Sequence, residues 1–200
     1  MIKKYTRQKA EKAVSNQPLP AGGYVAKIKS AKIEDYSWGS VVVIAFDIAE
    51  GDFKGFFKKQ FDANPNEDKK WKGTYRLTVP DESSQYFESN RKTFNNFIYA
   101  LEDSNDGYHY DCDEKKFKNK LIGVLFRNRE WEMNSNSGWT TECGAVTDIA
   151  AIRDGSFKPL KDKPLNNSTP APSGSAPLTS NDANDILDND GSGSDDDLPF

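Results

Sequence analysis

The patterned part of this chain stops near residue 160, and that break limits what the sequence can fold into. All 27 Lys and Arg lie within residues 1–164, with 24 of the 31 Asp and Glu, so this portion carries +3. Residues 165–200 hold seven Asp and no Lys or Arg, a balance of −7. Asn, Ser, Pro, Gly and Asp dominate residues 161–194, which cannot bury enough apolar surface to offset the entropy of ordering. The low hydrophobic fraction of 36% is therefore an average over an ordinary body and a dilute tail. Four segments are expected: a basic arm at 1–22, a folded domain at 23–160, a flexible Gly/Ser-rich tether at 161–194, and an acidic end at 195–200.

Within the body the apolar pattern predicts strands, then a helix, then strands again. Tyr24 to Ile33 alternates loosely, and Asp35 to Gly39 reads as a turn. Val41 to Ile48 is β-branched and strand-like, with Val42, Ile44, Phe46 and Ile48 facing the core. Gly51-Asp52 punctuates a hairpin into a third strand, Phe53 to Phe61. A helical stretch opens at Pro80-Asp81 and ends between Asp103 and Gly107, with Phe87, Phe94, Phe97, Ile98 and Leu101 on one face. A fourth strand over Phe117 to Trp131 turns inward Ile122, Val124 and Phe126. A turn at Asn134 to Gly138 leads to a fifth strand, Trp139 to Ile149. Three strands, a helix and two strands is the element order of the five-stranded OB barrel. The expected fold is mainly β, an OB barrel with one helix between strands three and four.

Candidate binding residues follow from aromatic rings set among cations, the chemistry that holds single-stranded nucleic acid by base stacking and phosphate pairing. Period-two spacing puts Phe53, Phe57 and Phe61 on one strand face and Lys54, Phe56 and Lys58 on the other. Trp71 and Lys72 close a lysine run; the ring either stacks on a ligand or folds back as a lid over the core. Arg127, Arg129, Trp131 and Trp139 gather near one turn, where cation–π pairing within the protein would give the same composition. Trp38 sits in the first turn. The contact set is Trp38, Lys54, Phe56, Lys58, Trp71, Lys72, Arg127, Arg129 and Trp131. Lys3, Lys4, Arg7, Lys9 and Lys12 are either a phosphate-tracking arm or a solubilising terminus.

Other classes are poorly served. One histidine and two cysteines, Cys112 and Cys143, cannot assemble a zinc site of the usual Cys/His kind. No Gly-rich phosphate loop or nucleophile–base pair stands out, so no cofactor, no metal and no enzymatic activity are expected. Two free thiols fit a reducing cytoplasm, and no stretch reaches the length of a membrane span.

The segment Asp195-Asp196-Asp197-Leu198-Pro199-Phe200 joins an acidic run to an apolar tip. A partner needs only basic groups and a shallow pocket to hold it. DDDLPF resembles the acidic tip of bacterial single-stranded DNA-binding proteins, which recruits replication, recombination and repair enzymes rather than DNA. The body, from Phe94-Asn95-Asn96-Phe97 through Phe117–Arg129 to Ala151-Ile152-Arg153-Asp154-Gly155, resembles phage-encoded proteins of that kind. The N-terminal motifs of the bacterial housekeeping form are absent, so its tetramer and stacking positions are not carried over. The resemblance implies a phage or mobile-element protein that coats single-stranded DNA and docks host or phage enzymes on its tip. The alternative is an interaction protein whose tip competes for the host's docking sites without binding DNA.

Overall fold

The computed structural model describes residues 18–133 and 136–165. Residues 1–17, the tether beyond Leu165 and the tip Asp195–Phe200 lie outside the described residues.

The densest β-branched stretch becomes the centre of one half of the sheet. Strand β2 (Gly39–Ile48) pairs antiparallel with β1 (Gly22–Tyr36) on one side and β3 (Thr74–Thr78) on the other. The expected core face, Val42, Ile44, Phe46 and Ile48, is buried. β1 also pairs with β4 (Leu121–Met133), which pairs with β5 (Asn136–Thr147), giving a five-stranded antiparallel sheet in the order β3-β2-β1-β4-β5. β1 serves two partners by being long: residues 22–27 pair with β4, while its pairing to β2 extends to the Tyr36–Gly39 turn. A bulge at Lys29, between the pairs made by Ile28 and Ser30, accompanies the change of partner. The end strands β3 and β5 approach each other without ladder hydrogen bonds, so the sheet is open there.

The third strand expected over Phe53–Phe61 does not form. Residues 52–55 turn, and Phe56–Ala63 is helix α1; β3 follows later, at Thr74. Phenylalanines four apart satisfy a period of two and a period of 3.6 alike, which is why the pattern misleads here. Asp47, at the end of β2, decides the outcome. Its buried carboxylate accepts from the backbone N–H groups of Phe57 (3.0 Å) and Lys58 (3.3 Å), donors that the first turn of a helix leaves unpaired. Gly55, with φ of 71°, supplies the left-handed residue that swings the chain out of the strand direction.

Helix α2 (Phe87–Asp103) spans the region between β3 and β4 and buries Phe97, Ala100 and Leu101. Phe97 stacks on Tyr75 (ring centroids 6.3 Å apart) and packs on Phe117 (5.4 Å). The helix starts at Phe87 rather than Pro80, because the Asp81 carboxylate holds Ser83 in a local turn through its N–H (2.9 Å) and hydroxyl (2.8 Å). At the other end Ser104 donates to Ala100 O and accepts from Ile149 N–H (3.0 Å), tying α2 to helix α3 (Ile149–Asp154). The Ala151–Gly155 stretch is thus mostly α3, ended by Gly155 in the left-handed region.

The sheet face that carries Leu125 is covered as well. Gly23 pairs with Leu125 and Val25 with Gly123, so these four share a face of the pleat. A side chain at Gly23 would strike Ile152 and Phe157, and one at Gly123 would strike Ile152, so α3 and the chain after it seal this face. The strand bounds move as well: pairing runs from Leu121 to Met133 and from Asn136 to Thr147. After α3 the chain returns along β4, where Lys163 exchanges backbone hydrogen bonds with Asn128 and Glu130, so ordered pairing reaches three residues into the expected tether.

Candidate nucleic-acid interface

An open sheet leaves the outer edge of each end strand without a ladder partner, and here the gap between those edges forms a groove of ≈ 740 Å³. One wall is Lys72 and Thr74–Arg76 of β3; the other is Trp139–Gly144 of β5. Phe126, Arg127, Arg129 and Trp131 of β4, Phe56, Phe57 and Gln60 of α1, and Pro18, Leu19 and Lys163 complete the lining.

Strand geometry explains how β4 supplies both charge and ring. Arg127, Arg129 and Trp131 are spaced by two and so rise from the same face of the pleat, opposite Glu142, Thr140 and Gly138 of β5. Arg127 donates from Nε (3.0 Å) and Nη2 (2.8 Å) to Glu142 Oε1, and Arg129 Nη1 stands 3.5 Å from Glu142 Oε2. The Trp131 ring lies over Gly138: a Cβ there would come within 3.1 Å of it. One ring face is thus seated on backbone, and the side chain remains 37% exposed. Gly144, the extra residue at a β5 bulge, gives Arg127 similar clearance, since a Cβ there would stand 3.2 Å from its Nε. Trp139 pairs with Glu130, on the opposite face of the ribbon from Trp131, and reaches the groove from that side.

Arg76 carries the lining out of the groove. Its guanidinium sits 5.5 Å from the Tyr36 ring and donates to Tyr36 Oη (2.5 Å). Tyr36 stacks on Trp38 with centroids 5.4 Å apart and planes at 12°. The Trp38 ring, 49% exposed, thus ends a ladder that begins in the groove. Glu34 anchors this ladder: hydrogen bonds from Lys32 and Tyr36 hold its carboxyl below the usual range.

Of the nine expected contacts, Phe56, Lys72, Arg127, Arg129 and Trp131 line the groove, and Trp38 lies at the end of the ladder. Phe56 reaches it from a helix and not from the expected strand; it packs edge-on against Phe53 and Phe57. Lys54 lies exposed in the turn before α1, away from the groove lining, and Lys58 makes an i,i+4 ion pair with Asp62 at 2.7 Å. Trp71 takes the lid role: its indole N–H donates to Phe46 O (2.9 Å) and Gly73 O (3.1 Å), while Lys29 Nζ stands 5.0 Å from the ring. No protein-family model and no curated protein matches the chain.

Arg76, Tyr36 and Lys163 are groove or ladder residues outside the expected contact set. Arg76 and Tyr36 meet through β1–β2–β3 pairing, 40 residues apart, a proximity that no local spacing encodes. Lys163 arrives by a bridge to Arg129 from beyond α3. Inside the groove wall, burial pushes the Tyr75 hydroxyl and the Cys143 thiol up to about 12, so both are neutral at ordinary pH. Both cysteines are free, Cys112 exposed and Cys143 partly so. Among the described residues no three His, Cys, Asp or Glu side chains group to hold a metal ion, and no helix is long and apolar enough to cross a membrane.

Proposed function

We propose that this protein binds single-stranded DNA in the groove between β3 and β5. The observation that carries the reading is the groove's lining. Lys72, Arg76, Arg127, Arg129 and Lys163 supply cations for phosphates beside Trp131, Trp139 and Phe56, on which bases stack. The strand order, with a helix between β3 and β4 and the end strands curled toward each other, supports reading the sheet as an OB-type barrel open at its binding side. Contacts of this kind bind largely without regard to base sequence.

On the same reading the protein is a non-enzymatic, cytoplasmic coat for single strands in phage or mobile-element replication or recombination. The Asp195–Phe200 segment then recruits host or phage enzymes through its acidic run and apolar end. Titration with oligo-dT, followed by tryptophan fluorescence, tests the first part. Saturable quenching whose affinity falls as salt rises, and which Arg127→Ala with Arg129→Ala weakens at least tenfold, is the expected result. An absence of quenching would leave the body without a DNA role and favour an interaction protein acting through its tip. Removing Leu198–Phe200 tests the second part: capture of replication or repair enzymes is expected to disappear while oligo-dT binding persists.

A further inference from the structure

The groove lining contains one carboxylate, Glu142, and it already occupies two of the five cations. The pairing is built into the backbone, because the β4–β5 register sets Glu142 directly opposite Arg127. Arg127 presents two N–H groups to one oxygen at 2.8 and 3.0 Å, and Arg129 approaches the other at 3.5 Å. A guanidinium presents the same N–H fork to a phosphate. The pair is neither deeply buried nor fully exposed, with 30% of the Arg127 side chain and 26% of the Glu142 side chain accessible. A ligand can therefore reach it. By contrast, neither Lys72 nor Lys163 has a carboxylate within 4.0 Å among the described residues.

We propose that Glu142 is a resident substitute for a backbone phosphate, which a single strand must displace from Arg127 and Arg129 and which thereby sets the tightness and salt response of the groove. This rests on the single-strand reading. In the empty groove the carboxylate relieves repulsion between two neighbouring guanidinium groups and holds them in position. In the occupied groove it repels the phosphate that takes its place. The counterions released on binding are those of Lys72 and Lys163, since Arg76 already stands 3.6 Å from Glu34 outside the groove, while Arg127 and Arg129 exchange one anion for another.

The test compares the full chain with its Glu142→Gln form, titrating oligo-dT from low to high salt. Gln keeps the shape and an acceptor but removes the charge. It is expected to tighten binding about fivefold at low salt and to steepen the log–log salt dependence by about 0.7, the contribution of one further phosphate on a single strand. Glu88→Gln, on the exposed face of α2 with an ion pair to Arg91, makes the same charge change away from the groove and is expected to leave both quantities unchanged. If Glu142→Gln destabilises the fold, Glu142→Asp withdraws the carboxylate without deleting it and is expected to bind more tightly than the parent, by less than fivefold. Equal or weaker binding by the Gln form would overturn the proposal, as would equal tightening by the Glu88 variant. A parent chain that fails to bind oligo-dT at all would instead defeat the single-strand reading, a result visible before any variant is made.

Discussion

Two stretches pair tryptophan with cations in sequence, Lys69–Lys72 around Trp71 and Arg127–Trp131 on β4, and the fold uses them in opposite ways. Trp71 spends its indole N–H on two backbone carbonyls and its ring on Phe61 and Lys29, and the neighbouring Lys69 stands 4.7 Å from the Phe61 ring. The Trp71 ring and the Lys69 charge are consumed within the protein, and Lys72 alone of this stretch lines the groove. Trp131 instead rests on a glycine and keeps one side toward a groove shared with Arg127 and Arg129. The indole hydrogen-bond partner and the residue beneath the ring separate a structural tryptophan from an available one; composition does not.

The sharpest way to break this contrast is to truncate both rings. Trp71→Ala is expected to cost about 3 kcal/mol of stability, because it removes packing against Phe61 and takes the indole donor from the Phe46 carbonyl. Trp131→Ala is expected to leave stability within about 0.5 kcal/mol but weaken oligo-dT binding by about 2 kcal/mol, roughly thirtyfold. Chemical denaturation and the fluorescence titration, run on both variants, read the two effects. The contrast fails if Trp71→Ala loses DNA binding while keeping its stability.

Next in size is the capping carboxylate that turned Phe56–Ala63 into a helix. Asp47→Ala is expected to cost about 2 kcal/mol, since it strands the N–H groups of Ile48 and Phe57, both at 3.0 Å from Asp47 Oδ1, with that of Lys58. Denaturation midpoints measure the loss, and a far-UV circular dichroism spectrum with reduced helix would assign it to α1. A smaller effect probes the ring's seat. Gly138→Ala is expected to lower oligo-dT affinity about threefold with little change in melting temperature, because the added methyl tilts Trp131 without unfolding anything.

The mildest test concerns the buried groups near the sheet. Tyr24, Tyr75 and Cys143 are each pushed up to about 12 by burial, above the roughly 10 and 8.5 of unfolded tyrosine and cysteine. The folded chain therefore keeps protons that the unfolded chain releases. Their contribution to stability is whole below about pH 8.5 and is lost progressively as pH rises toward 12. Urea midpoints across this range are expected to fall. At pH 8 a thiol reagent is expected to label exposed Cys112 and spare Cys143 until the protein unfolds.

Several structural features were legible from residues alone. The β-branched density of Val41–Ile48 marked a buried strand, and the Phe94–Leu101 spacing marked a helix between the third and fourth strands. The turn read at Asn134–Gly138 brought Arg127, Arg129, Trp131 and Trp139 near one another, because a hairpin is a local property of the backbone. Local spacing failed where two periods fit the same residues, at Phe53–Phe61, and a carboxylate from a neighbouring strand settled the matter.

What the tertiary structure alone decided is which charged and aromatic groups meet. Arg76 finds Tyr36, Glu142 finds Arg127, and Lys163 joins β4 through pairings between distant parts of the chain. Sequence determined the elements because their hydrogen bonds and side-chain faces follow from neighbours a few residues away. The groove exists because β3 and β5 stop short of pairing, and that depends on how five strands curl around one core.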